Sequence, residues 1–229
     1  MRKPVVDYSR LRPGSVTSPE YRHLLLLSGW LVYFALYFLT EGLIAPERCH
    51  VVHCALDDLI PFCEWFVIPY TFWYALIFGS LLYFLLYDVP SFRKLQIFIM
   101  ITQAAAMAVY ILWPSIQLLR PEVFPRENVF TRVLGLIYAF DTPTGVCPSL
   151  HVAYSLGIVS VWLKYRDASR LFKAFILFTV AAVCVGVLFV KQHSALDVLW
   201  ALPLGLAAEA IVYGRDYWLP RWRKGRSEP

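Results

Sequence analysis

No charged side chain occurs between Phe66 and Tyr87, nor between Leu95 and Leu118. Roughly 20 helical residues suffice to cross the ~30 Å hydrocarbon core of a bilayer, and a small soluble fold has nowhere to hide two such runs. Composition agrees: the chain is 59% hydrophobic and 16% charged, with a mean hydropathy of +0.57, outside the range of soluble domains. The runs are continuously apolar and do not alternate as lipid-facing barrel strands must, so helices are expected. Six candidate spans emerge at about Leu24–Ile44, Phe66–Tyr87, Leu95–Leu118, Cys147–Leu163, Ala174–Val190 and Ala195–Tyr213. His151 interrupts the fourth, and Asp197 and Glu209 the sixth. The expected fold is all-α, a polytopic membrane protein built as a six-transmembrane-helix bundle.

Basic residues orient such a bundle. Arg2, Lys3, Arg10, Arg12 and Arg22 precede the first span, and Arg93 and Lys94 join the second to the third. Lys164, Arg166, Arg170 and Lys173 join the fourth to the fifth, and Arg215, Arg221, Arg223, Lys224 and Arg226 follow the sixth. Sixteen of the 21 basic residues thus fall on one side, which predicts cytoplasmic N- and C-termini. The expected organisation is a cytoplasmic tail over 1–22, a six-helix membrane catalytic domain over 23–213 and a basic cytoplasmic tail over 214–229. The net charge of +5 follows from this asymmetry and from attraction to anionic lipid, so no nucleic-acid partner is expected. No signal peptide is visible, because a polar, proline-containing stretch precedes the first apolar run.

The basic-poor connections bring "LLRPEV", "DTPTGVCPSLH" and "VKQHSALDV" to one membrane face. Pro148 suits the first turn of a helix, and Ser149 with the free N–H groups after it opens the fourth span as an anion site. His193 and Asp197 stand four apart, on one helical face, where a carboxylate orients an imidazole. Lys191 and Arg120 add fixed positive charge, and Arg120 is able to grip two phosphate oxygens at once. Two histidines, a carboxylate, two cations and a helix N-terminus suit phosphoryl transfer: one imidazole attacks phosphorus while the other protonates the leaving oxygen.

"PSLH" and "KQHSALD" resemble the type 2 phosphatidic acid phosphatase superfamily of membrane lipid phosphatases and phosphotransferases. The similarity is closest to its branch with sphingomyelin synthase and inositol phosphorylceramide synthase. "YILWPSIQLLRP" resembles that branch's aromatic-Pro segment ending in Arg, and "DTPTGVCPSLHVA" its Asp-x-Pro lead, so the match covers residues 110–200 in pieces. The resemblance implies that His193 is the nucleophile forming a phosphohistidine and that Asp197 holds its ring. It implies that His151 is the acid for the leaving group, then the base for water or an acceptor alcohol. Arg120, Lys191, Ser149 and the backbone N–H groups around Leu150 would bind the phosphoryl oxygens, with no metal and no cofactor. Where many members carry a lysine this chain has Trp113, where they carry an arginine it has Val187, and an Asn and a Tyr of the pattern are Gly145 and Ser194. Phosphate binding then leans on fewer cations, with Arg126 or Arg132 swinging in or a monoanionic or weakly held substrate.

The loop "ERCHVVHCALDDLIPFCEW" admits a disulfide, free thiols or zinc among Cys49, His50, His53, Cys54 and Cys63. Its apolar end, Leu59 to Phe66, suits a cover over the site. Residues 128–140 are expected to form an interfacial helix or lid. Glu209, about one turn from the cytoplasmic end, is expected to be a snorkelled or internally bonded carboxylate.

Three function classes result. The first is a lipid phosphatase, hydrolysing a lipid phosphate ester through phosphohistidine at the exoplasmic face. The second is a phosphotransferase moving the phosphoryl or phospho-headgroup to a lipid or polyol alcohol. The third is an ion or anion transporter, weakened because the polar groups cluster at one mouth and line no path across the bilayer.

Overall fold

A computed structural model describes residues 3–227 of the chain. Arg2, counted above with the N-terminal tail, and Glu228 and Pro229 of the C-terminal tail lie outside the described residues. The chain is mostly helical. Among the described residues, five helices are long and apolar enough to cross a membrane: Arg22–Glu41, Glu64–Tyr87, Val89–Leu112, Arg170–Phe189 and Ala195–Lys224. The first overlaps α1 (Ser28–Leu43), and within the others lie α3 (Val67–Tyr87), α4 (Val89–Leu112), α7 (Arg170–Phe189) and α8 (Ala195–Tyr213). Shorter helices are α2 (Ala55–Leu59), α5 (Val129–Phe140), α6 (Leu150–Lys164) and α9 (Leu219–Ser227).

Two expected spans are corrected. The third begins at Val89 and not Leu95, with Pro90 in its first turn and Arg93 and Lys94 inside the helix and not in the connection, and it ends at Leu112 and not Leu118, because Pro114 disfavours helical backbone at Trp113. The fourth begins at Leu150 and not Cys147, with Ser149 as its N-cap. Pro148 therefore precedes the helix and does not occupy its first turn. At 15 residues and about 1.5 Å per residue, α6 is ~22 Å long, shorter than the hydrocarbon core. Its burial accounts for this: α6 packs against α3, α4, α7 and α8, with Ala153, Tyr154, Ile158 and Val161 inaccessible or nearly so. A helix wrapped by its neighbours need not match the bilayer on its own surface. Gly157 permits the approach of α4, since a Cβ there would lie 2.7 Å from the Phe98 ring.

α4 and α7 both end at the loop-capped end of the bundle, where His50 N–H donates to Pro114 O and Cys63 N–H to Phe189 O, and the shorter α6 returns between them. At one end the N-terminal segment folds over the α3–α4 turn, where Val5 N–H donates to Leu86 O at 2.8 Å and Tyr8 OH to Leu85 O at 2.9 Å. Lys164 and Glu209 pair at this same end at 2.7 Å, and Ser160 and Trp218 also donate to Glu209, which is thus internally bonded.

The other end is capped by loops. A parallel pair joins β1 (His50–Val51) to β2 (Ser115–Ile116), and Ile116 bridges Thr144. Ser115 Oγ accepts from the N–H groups of Val146 and Cys147, fixing the segment that leads into α6. Asn128 caps α5 by accepting from Phe130 and Thr131 N–H. Glu64 accepts from Arg126 at 2.9 Å and Asn128 at 3.0 Å, pinning this amphipathic helix to the start of α3.

Candidate active site

The turn between α7 and α8 is the most tightly specified piece of backbone in the cap. α7 closes with Gln192 N–H on Val187 O and Lys191 N–H on Leu188 O, the paired bonds of a Schellman ending. That ending puts Lys191 in the left-handed region at φ 53°, where glycine is usual. Ser194 then caps α8. Asp197 Oδ2 accepts from Ser194 N–H at 2.9 Å and from His193 Nδ1 at 3.1 Å, so the helical i, i+4 spacing and the cap act together on the imidazole.

Across from this turn, Gly145 adopts φ +59°, a left-handed conformation that glycine takes without strain. Tyr110 OH donates to Pro148 O at 2.6 Å, and Ser149 N–H donates to Asp197 O at 3.0 Å. The second bond ties the first turn of α6 to the first turn of α8. As a result His151 Nδ1 lies 3.2 Å from His193 Nε2. The Asp197 carboxylate requires a proton on His193 Nδ1; with both rings neutral, His193 Nε2 accepts from His151 Nδ1–H. The order of the chain is Asp197, His193, His151. Trp73 and Tyr70 flank the His151 ring at centroid distances of 4.2 and 4.7 Å, and Trp73 Nε1 donates to His151 O.

Arg120 reaches the same turn from β2's side. Its guanidinium donates to Gln192 Oε1, Tyr138 O and Thr142 O and lies 4.5 Å over the Tyr138 ring. Gln192 Nε2 in turn donates to Tyr70 OH at 3.2 Å and Asp141 Oδ2 at 3.4 Å. Burial pushes the Asp141 carboxyl above the ordinary carboxylate value, although Tyr37 OH donates to it and Arg120 is nearby. Burial, and then the Asp197 charge, raise the Cys147 thiol to about 12, so it is a neutral thiol. Among the described residues ten buried side-chain polar atoms lack a hydrogen-bond partner, and four of them, Arg120 Nε, Ser149 Oγ, His151 Nε2 and Asp197 Oδ1, lie in this region.

The structure thus brings His151, His193 and Asp197 together, with Ser149 and Leu150 at the same helix start and Arg120 one residue's contact away. Lys191 differs. Its ammonium donates to the carbonyls of Asp57 at 3.0 Å and Ile60 at 2.5 Å, and so ties the α2 loop to the turn. Arg126 is held by Glu64, and Arg132 is exposed on α5. In the cysteine loop His53 bonds Asp58, His50 stacks on Trp113, and all five cysteines are free.

Sequence reasoning missed three residues. Asp57 accepts from Ser194 Oγ at 2.6 Å, Ala195 N–H at 2.7 Å and Cys54 N–H at 2.8 Å, clamping the loop to the start of α8. Burial alone would raise this carboxyl, but those hydrogen bonds outweigh it and hold it below the ordinary value. No motif marks Asp57. Gln192 and Asp141 did carry a signal, standing beside His193 and at the head of the Asp-x-Pro lead. Comparison of the chain with family models, with curated proteins and with solved structures finds no match.

Proposed function

We propose that the chain is a membrane lipid phosphatase of the type 2 phosphatidic acid phosphatase kind, working through a phosphohistidine on His193. The observation that carries this reading is the Asp197–His193–His151 chain at 3.1 and 3.2 Å. Asp197 selects the tautomer that leaves a lone pair on His193 Nε2, and attack requires that phosphorus take the place of the His151 N–H on that lone pair. His151, entering this step as the imidazolium, gives its proton to the leaving oxygen as the bond from phosphorus to that oxygen breaks, and the neutral ring it becomes then draws a proton from the attacking water, each step contributing on the order of 10²–10⁴ in rate. Arg120 supplies fixed positive charge, and Ser149 Oγ and the first N–H groups of α6 supply donors to the phosphoryl oxygens. Lys191 holds the loop and turn together in place of binding phosphate directly.

In the same proposal α6 completes a six-span bundle. Both termini face the cytoplasm and the site faces the exoplasmic side, because the basic connections gather at the end opposite the histidines. The test is release of inorganic phosphate from a panel of lipid phosphates, in detergent with EDTA, by the wild type and His193→Ala. Release that disappears in the variant supports the reading. Equal release by both proteins contradicts it.

A further inference from the structure

A crevice of about 550 Å³ lies between α3 and α7, with Trp162 of α6 as its floor and the turn Asp167–Ser169 at its mouth. Trp162 stands near the end of α6 and His151 in its first turn, so the crevice belongs to the end of the bundle away from the histidines. It runs along α3 from Phe72 to Tyr83, ~17 Å at about 1.5 Å per residue. That is close to half of the ~30 Å hydrocarbon core, the depth of one leaflet.

The polar groups of the lining are already paired. Ser80 Oγ accepts from Trp162 Nε1 at 2.9 Å, Ser169 Oγ accepts from Phe172 N–H at 3.2 Å, and Tyr83 OH lies 3.4 Å from Tyr165 OH. What is left is apolar surface with room beside it, since a Cβ on Gly79 would meet nothing within 4 Å. Phe72 and Phe175 on the rim are exposed, so the crevice opens sideways between two helices apolar enough to lie in a membrane. An occupant that makes no hydrogen bonds fits such a lining, and a polar one would lose its hydration without compensation.

The mouth has the opposite character. Arg166 and Arg170, both exposed, bracket Asp167–Ser169, and Lys173 Nζ donates to Leu163 O at 3.0 Å beside them. Asp167 is the one acid between Lys164 and Lys173, and it accepts from Tyr165 OH at 3.3 Å. Lys164 is paired with Glu209, which leaves the turn with an excess of positive charge at the level of a lipid phosphate whose chain fills the crevice.

We propose that the crevice holds one acyl chain of an anionic phospholipid from the leaflet at this end of the bundle, with its phosphate on Arg166 and Arg170. The inference requires that the chain lie in a membrane and uses nothing of the phosphoryl-transfer reading.

The experiment is photolabelling of the full chain in nanodiscs with a phosphatidylglycerol that carries a diazirine on one acyl chain, mapped by peptide mass spectrometry. The competitors are unlabelled phosphatidylglycerol and a phosphatidylcholine with the same chains. Saturable labelling concentrated in residues 72–83 and 168–176 is expected, with phosphatidylcholine competing about tenfold less well, the preference that two arginines near the surface can supply. Arg166→Gln together with Arg170→Gln should make the two competitors equal, and Gly79→Leu, which fills the crevice, should remove the label. The arginine pair is exposed, so it carries the test if Gly79→Leu fails to fold. Even labelling over the long helices, or equal competition by the two lipids in the wild type, overturns the proposal. A second copy of the chain covering α3 and α7, seen as a doubled protein mass in each nanodisc with no label on these segments, overturns it as well. Binding is read without turnover, so His193→Ala should label as the wild type does. Loss of the crevice label in that variant would assign the lipid to the histidine site and overturn the proposal.

Discussion

Lys191 shows how a residue's backbone and side chain can be asked different questions. Its φ of 53° is needed by the Schellman ending of α7, and a non-glycine residue accepts that conformation at a cost of about 1 kcal/mol. Its ammonium, bonded to Asp57 O and Ile60 O, is the compensation. Lys191→Gly should relieve the backbone while losing the tether, and Lys191→Ala should lose the tether while keeping the strain. Thermal unfolding of the two variants is expected to place Ala below Gly, with Gly retaining most of whatever phosphate release the wild type shows under the proposed function. An equal, large loss of turnover in both, with folding intact, would instead mark Lys191 as a direct phosphate ligand. His193 and Asp197 were legible because helical spacing alone puts i and i+4 on one face. The direction of the Lys191 side chain was not, because it depends on a loop more than a hundred residues earlier in the chain.

At the scale of elements, the first turn of α8 is held from outside by Asp57 of α2. Because its folded-state carboxyl is depressed, this contact contributes stability that is fully present above the ordinary value of 3.8 and is lost as pH falls through the lower, folded value. Asp57→Asn should therefore be less stable than wild type at neutral pH and lose less on acidification below about pH 4. Unfolding midpoints followed from pH 7 to pH 3 check this, and parallel curves for the two proteins would show that the clamp is not ionic. The helices themselves were largely readable: α8 runs over Ala195–Tyr213 as its apolar stretch predicts, and α3 over Val67–Tyr87 differs by a single residue. α6 was not readable at its start. A hydropathy pattern cannot separate a short helix wrapped by four neighbours from a spanning helix that meets lipid, and Cys147, Pro148 and Ser149 read as apolar or helix-opening while folding as a lead held by Ser115 and Tyr110.

For the whole molecule, the two ends of the bundle differ in chemistry. One gathers the N-terminal segment, the α3–α4 turn and the Lys164–Glu209 pair, and the other carries the paired loops and the histidines. The proposed topology predicts that a fluorescent protein fused to the C-terminus folds and emits in cells, while a phosphatase reporter that needs an oxidising compartment stays inactive there. The opposite pair of outcomes would invert the bundle and move the site to the cytoplasmic face. The clustering of basic residues in alternate connections already set the two ends of the bundle apart in the sequence. The meeting of His151 with His193 was not legible there, since it depends on the Ser149–Asp197 backbone bond between α6 and α8.

The central claim is that Asp197, His193 and His151 act as one phosphoryl-transfer unit with His193 as the covalent centre. Its most direct test is to quench the enzyme during turnover of a ³²P-labelled lipid phosphate under alkaline conditions and to map any phosphoramidate by peptide sequencing. The account predicts acid-labile label on the peptide containing His193, present in the wild type and absent from His193→Ala. Turnover with no trapped label, or label on His151, would contradict it.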